Sequence, residues 1–173
     1  MNPLLFNVLL GIEELNKQEV NMKYREAVRA VIIQDHKILL IHSNLGDYKF
    51  PGGGLEKNES HPDGLLREVA EETGYINCIV KDKLGVVIER HLDEYDENVY
   101  FEMNSHYYLC ELANSKKIAQ QLDDYEAAQE FMPEWLTIGD AIKQNQKVLD
   151  QSEKNRWIYR ENFVLNELKK FIK

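Results

Sequence analysis

Between Gly53 and Tyr75 the chain reads GGLEKNESHPDGLLREVAEETGY, and no other stretch limits the fold as tightly. Just upstream, Pro51 fixes its own φ, while Gly52, Gly53 and Gly54 free the backbone for close approach to something, which predicts an irregular loop. The spacing then predicts a helix over 61–73, with Ser60 as N-cap, Asp63 at the capping-box position and Gly74 as the stop. On that helix Leu65, Leu66, Val69 and Ala70 share the side that packs on a sheet. Glu68, Glu71 and Glu72 share the other, with Arg67 beside them. Like charges three and four residues apart destabilise a helix by about 0.2–0.5 kcal/mol per pair. The anionic patch therefore calls for a cation, and Mg²⁺ suits it, taking hard oxygen ligands while keeping waters and phosphate oxygens in its shell. A solvated acidic face is the ordinary fate of such a helix, but the glycines and the placement of Glu59 argue against it here. Glu59 lies just before the helix, close enough to pair with Arg67 and fasten loop to helix, so that pair is read as scaffolding.

The skeleton is Gly53, five residues, Glu59, seven residues, then Arg67-Glu68-Val69-Ala70-Glu71-Glu72-Thr73-Gly74. Seven fixed identities and one aliphatic position should recur by accident on the order of once per million chains or less. This stretch resembles the Nudix box, the signature of Mg-dependent hydrolases that cleave a diphosphate joined to a nucleoside or similar moiety. The resemblance is close over Phe50 to Tyr75 and looser over Ala27 to Ile142, where Trp135-Leu136-Thr137 before a helix also fits. Tyr75 departs from it, because the box usually has an aliphatic residue there.

What the resemblance implies is an α/β fold, a Nudix-type α/β/α sandwich with a mixed sheet and the loop-helix-loop box over one end. It implies metal binding by Glu68 and Glu72, often joined by Glu71, and by the carbonyl of Gly52; Mn²⁺ is the alternative to Mg²⁺. Glu68 and Glu71 are the candidate catalytic residues, the general base differing among members, and Gly53, Glu59, Arg67 and Gly74 would support the site. A further ligand often comes from a loop near the C-terminal Trp; of Glu126 and Glu130, the expectation is Glu130. Tyr48 is the candidate for stacking on a base, although a strand aromatic at that place is commoner. The implied reaction is attack of water on a phosphoanhydride of a nucleoside diphosphate derivative or nucleoside triphosphate, with no covalent nucleophile. The alternatives are a hydrolase of a non-nucleoside diphosphate and a non-catalytic ligand-sensing module. The module would be marked by a missing box glutamate, and none is missing.

Beyond the box, strands are expected over 25–33 and 38–42, a short extended piece over 48–50, and strands over 76–80, 84–89, 99–112 and 131–136. His91 to Asn98 reads as an acidic loop, and 114–130 is polar and unassigned. Thr137 with Asp140 caps a helix to about Leu149, and a last helix from Ser152 carries Trp157, Val164, Leu168 and Phe171 on one stripe. Strands mixed with helices indicate one α/β domain over 22–173, preceded by an N-terminal helix or arm over 1–21, where Leu5, Leu9, Ile12 and Leu15 recur at helical spacing. Two apolar stripes outside the box region lead to the expectation of a homodimer.

A formal net charge of -9, with no basic run of length, disfavours nucleic acid as a partner and leaves a small phosphorylated substrate. Leu4 to Ile12 is too short to span a bilayer and lacks the secretory pattern, so no membrane role is expected. Cys78 and Cys110, each in an apolar run, read as free buried thiols of a cytoplasmic protein. His42, His61, His91 and His106 read as surface or core residues before they read as catalytic ones.

Overall fold

The computed structural model describes residues 3–15 and 21–172. Strands β1 (Phe6–Gly11), β2 (Asn21–Gln34), β3 (Lys37–His42), β4 (Tyr48–Lys49) and β5 (Gly52–Gly54) precede helix α1 (His61–Thr73). Strands β6 (Cys78–Leu92) and β7 (Val99–Leu112), helix α2 (Asp124–Ala128), strand β8 (Met132–Leu136) and helices α3 (Ile138–Gln151) and α4 (Trp157–Phe171) complete it. The sheet runs β1-β6-β7-β2-β3-β4, with β5 added to β2 and β8 to β3. It is mixed: β1 with β6 and β2 with β7 are parallel, while β6 with β7 and β2 with β3 are antiparallel.

Alternation along the central strands sorts their side chains into two layers. Val28, Ala30, Ile32 and Leu39 meet Leu65 and Val69 of α1 on one face. Val31, Ile38 and Leu40 join Phe50 and Tyr107 on the other, under Ala141 of α3 and Val164, Leu165 and Leu168 of α4. Burial on both faces explains why these strands read as nearly unbroken apolar runs. The architecture is the α/β/α sandwich with a mixed sheet that the box implied.

Several elements differ from expectation. Of the two expectations for the N-terminal segment, its described part forms an arm rather than a helix: Phe6–Gly11 is strand β1, laid parallel on β6 with Phe6 opposite Gly85. Phe6 sits in the core and Val8 and Leu10 pack against it, which removes the unpartnered apolar face on which the dimer expectation leaned. Residues 1, 2 and 16–20 of that segment lie outside the described residues. The glycine loop is more regular than predicted, since Gly52, Gly53 and Gly54 pair with Arg29, Val28 and Ala27 of β2. The two strands expected over 76–89 are one, β6, with irregular register between Val80 and Gly85. Helix α4 starts at Trp157 rather than Ser152, and Phe171, placed on its buried stripe, is 57% exposed. Leu66, which the helical spacing puts on the packing face of α1, is 39% exposed. Among the described residues no helix is long and apolar enough to cross a membrane.

Candidate functional site

Helix α1 starts and stops where its sequence says. The Ser60 side chain accepts from the Asp63 N–H, and Gly74 closes the C-terminus at φ 84° with its N–H on the Ala70 carbonyl. A Cβ at Gly74 would stand 2.3 Å from the Ile118 carbonyl oxygen, so glycine is required there for the turn and for the next loop to close over it.

The glycine strand brings backbone against the helix carboxylates. Gly52, at φ 151°, donates its N–H to Glu72 Oε2 at 3.1 Å. A Cβ on Gly52 would lie 2.1 Å from the Val28 carbonyl oxygen, and one on Gly53 would lie 2.7 Å from Glu68 Oε1. These two glycines let β5 run between β2 and the acidic face of α1. On its far side Arg67 spans loop and helix. Its Nε and Nη2 donate to the two oxygens of Glu59 at 2.7 and 2.8 Å, and its Nη2 also reaches the Gly54 carbonyl at 3.2 Å. Its Nη1 donates to Glu68 at 2.9 Å and to Glu71 at 3.2 Å.

Three carboxylates converge beside this frame. One oxygen each of Glu68, Glu72 and Glu126 lies within 4.8 Å of the others, and all three residues are buried. Burial pushes the Glu68 carboxyl up from its ordinary range, with Arg67 pulling against it. Burial, with Glu68 and Glu126 alongside, pushes Glu72 well above the usual carboxylate range. Clustered carboxylates raised in this way are short of positive charge. All three supply hard oxygen, the donor set that Mg²⁺, Mn²⁺ or Ca²⁺ takes, so a divalent cation fits the residues present.

Of the residues singled out from sequence, Gly52, Gly53, Glu59, Arg67, Glu68 and Glu72 are thus joined by direct contacts, while Gly74 ends α1 against Ile118. Glu71 lies outside the three-carboxylate group, half-buried and held by Arg67. Glu130 corrects the expectation for the later loop: it is exposed, in left-handed backbone at φ 54°, and Glu126 occupies the cluster instead. Glu126 is fixed by the capping box of α2, in which its Oε1 accepts from the Asp123 N–H at 3.0 Å while its own N–H donates to Asp123 Oδ1 at 2.9 Å. The pattern Asp123-x-x-Glu126 was the available sequence signal. Gln120 steadies the same loop, donating to the Phe131 carbonyl at 3.0 Å and to that of Glu72.

Tyr48 does not present a free stacking face. Its ring is buried in the core, stacked on His42 at 4.6 Å, and its hydroxyl donates to Glu134 at 3.1 Å; burial raises its pKa to about 12. His61 bonds the Tyr108 hydroxyl, His106 pairs with Glu26, and His91 bonds the Leu92 carbonyl, none of these being contacts with the three carboxylates. Sequence reasoning also missed Arg29, which the register of β2 sets opposite Gly52, and Lys49, whose ammonium lies over the Phe131 ring.

The chain belongs to the Nudix family: residues 23–158 match the NUDIX domain. Over 77 residues it is 38% identical to the ADP-ribose pyrophosphatase of Methanocaldococcus jannaschii, covering 42% of this chain and 45% of that protein. Over 82 residues it is 34% identical to the CTP pyrophosphohydrolase of Escherichia coli, covering 40% of this chain and 61% of that protein. The matches thus span about half the length of these curated relatives. A NUDIX hydrolase structure from Nitrosomonas europaea aligns with a TM-score of 0.52 at 23% identity, over 72% of this chain and 79% of that one. The crystal structure of a UDP-X diphosphatase aligns with a TM-score of 0.50 at 22% identity, over 68% and 52%. At these identities the solved structures share the fold.

Proposed function

We propose that the domain, with β1 as a strand of its sheet, is a metal-dependent hydrolase that cleaves the phosphoanhydride of a nucleoside diphosphate derivative or nucleoside triphosphate by attack of water. The observation that carries the reading is the convergence of Glu68, Glu72 and Glu126 beside the glycine strand of a Nudix domain. The pyrophosphatase and pyrophosphohydrolase names of the two curated relatives support it. Mg²⁺ is the ion of choice, with Mn²⁺ as the alternative. Bound there, it would offset the charge of the diphosphate and acidify a water. Glu68, Glu72 and Glu126 hold the ion in this reading, with the Gly52 carbonyl as a further oxygen. Arg67 keeps Glu68 and Glu71 aimed while its fork on Glu59 anchors the loop to the helix. Glu68 or Glu71 takes the proton from the attacking water. The free thiols of Cys78 and Cys110 suit a reducing cytoplasm.

A panel of diphosphates with Mg²⁺, scored separately for phosphate, pyrophosphate and monophosphate release, tests the reading. At least one nucleotide should be cleaved at an anhydride, EDTA should abolish turnover, and added metal should restore it. Undiminished turnover in EDTA would sink the metal-dependent reading.

A further inference from the structure

Two cations stand near the carboxylates with no carboxylate of their own. Arg29 is 8% exposed, and the register of β2 against β5 sets it opposite Gly52. Its Nε donates to Ser105 Oγ at 3.2 Å and its Nη2 approaches Met103 Sδ at 3.9 Å. Among the described residues no Asp or Glu forms an ion pair with it. Arg160 shows how this chain otherwise treats a buried guanidinium: its Nη1 donates to both oxygens of Glu89 at 2.8 and 3.1 Å, and its Nη2 to Glu161 at 2.8 Å. A guanidinium withdrawn from water without a countercharge is costly, so an anion beside Arg29 would be stabilising.

Lys49 is the second such cation. Its ammonium lies 4.4 Å from the centroid of the Phe131 ring, 5.1 Å from that of Trp157 and 5.9 Å from that of Tyr125. Among the described residues it too has no ion pair. Burial lowers its pKa, and Glu72 is one of the carboxylates whose charge acts against that fall. Lys49 lies over the Tyr125 ring. Tyr125 directly precedes Glu126 of the carboxylate cluster, and it is 54% exposed.

We infer that Arg29 and Lys49 form an anion-binding wall beside the carboxylate cluster, receiving phosphate oxygens that a carboxylate-held metal would not, with Tyr125 as the stacking face for the group attached to the diphosphate. This rests on the reading of the site given above. The chemistry divides between the two residues: the planar fork of Arg29 matches two oxygens of one phosphate, and Lys49 supplies a point charge. The aromatic face accepts any base, so the wall reads the diphosphate and leaves the choice of base open.

The test uses calorimetry with methylenediphosphonate, a diphosphate that cannot be hydrolysed, and with its adenosine ester, each in Mg²⁺ and in EDTA. K49Q and R29Q should each weaken methylenediphosphonate roughly tenfold or more, as for loss of a charge-assisted hydrogen bond. Both should keep wild-type affinity for Mg²⁺ alone, and R29K should recover part of the loss. Y125A should change methylenediphosphonate by less than about twofold while weakening the adenosine ester roughly tenfold. Circular dichroism melts establish that each variant is folded; if R29Q is not, K49Q and R29K decide. Wild-type binding of methylenediphosphonate by folded K49Q, or no binding by the wild type, overturns the inference. A wild type that binds the diphosphonate through Arg29 and Lys49 yet fails to bind Mg²⁺ would instead overturn the metal reading and leave the wall standing.

Discussion

Glu59 and Glu68 both touch Arg67, yet their surroundings drive them in opposite directions. The guanidinium fork holds the Glu59 carboxyl down to about 2, whereas burial lifts that of Glu68. Glu59→Gln should therefore lower the melting temperature at neutral pH. The folded value lies below the ordinary 4.5, so the contribution of the pair is full above about pH 4.5 and fades as pH falls through about 2. Melts of wild type and variant from neutral to strongly acidic pH should show the gap narrowing across that window; a constant gap would mean that the pair is not what holds the loop. Glu68→Gln should behave differently. Activity should fall on the order of 10²-fold or more, as when a general base or charge clamp is removed. The melting temperature without metal should hold or rise, because one of three converging carboxylates loses its charge. Wild-type rates in this variant would place the chemistry elsewhere. The box residues were legible because their spacing along one helix fixes which of them can meet. Glu126 was legible only as one of two candidates: the Asp123-x-x-Glu126 pattern marks a helix start, and the fold of the loop after β7 decides which glutamate turns inward.

The elements carry the same division between local and distant causes. Helix α1 was readable to the residue, since Ser60 and Gly74 are local signals. Strand β5 has the sequence of an irregular loop because three glycines and a proline carry no strand propensity; its pairing comes entirely from β2. Strand β1 defeated the periodicity argument because a short apolar run satisfies both templates. Leu5, Leu9 and Ile12 recur at helical spacing while Phe6, Val8 and Leu10 alternate, and the free edge of β6 selects the second pattern. Two glycine substitutions separate these effects. Gly52→Ala should destabilise by about 1–3 kcal/mol or more, since its φ is unfavourable and the new Cβ meets the Val28 carbonyl oxygen. It should also weaken Mg²⁺ binding, because the Gly52 N–H moves off Glu72. Gly139→Ala in α3 meets nothing within 4 Å and should stabilise by about 0.5–1 kcal/mol. Denaturant melts and Mg²⁺ titrations on the two variants check both outcomes; unchanged stability in Gly52→Ala would remove the argument for the glycine strand.

Over the whole molecule, a single α/β domain followed from apolar patterning and its layering from the resemblance to the family, while the order of strands across the sheet followed from neither. Parallel pairing of β2 with β7 and of β1 with β6 joins residues far apart in sequence, which no local window can register. The same long-range economy hid the ion pairs of Arg160, whose partner Glu89 lies on β6. The seat of Phe6 against Gly85 has a practical consequence for anyone shortening this protein. A chain begun at Met22 would leave a hollow the size of a benzyl group and an unclothed strand margin along β6. Bare margins recruit other strands. Clumping of such a fragment would then report a lost hem rather than a lost partner, and a short peptide spanning Phe6 to Gly11, supplied in trans, is the natural patch.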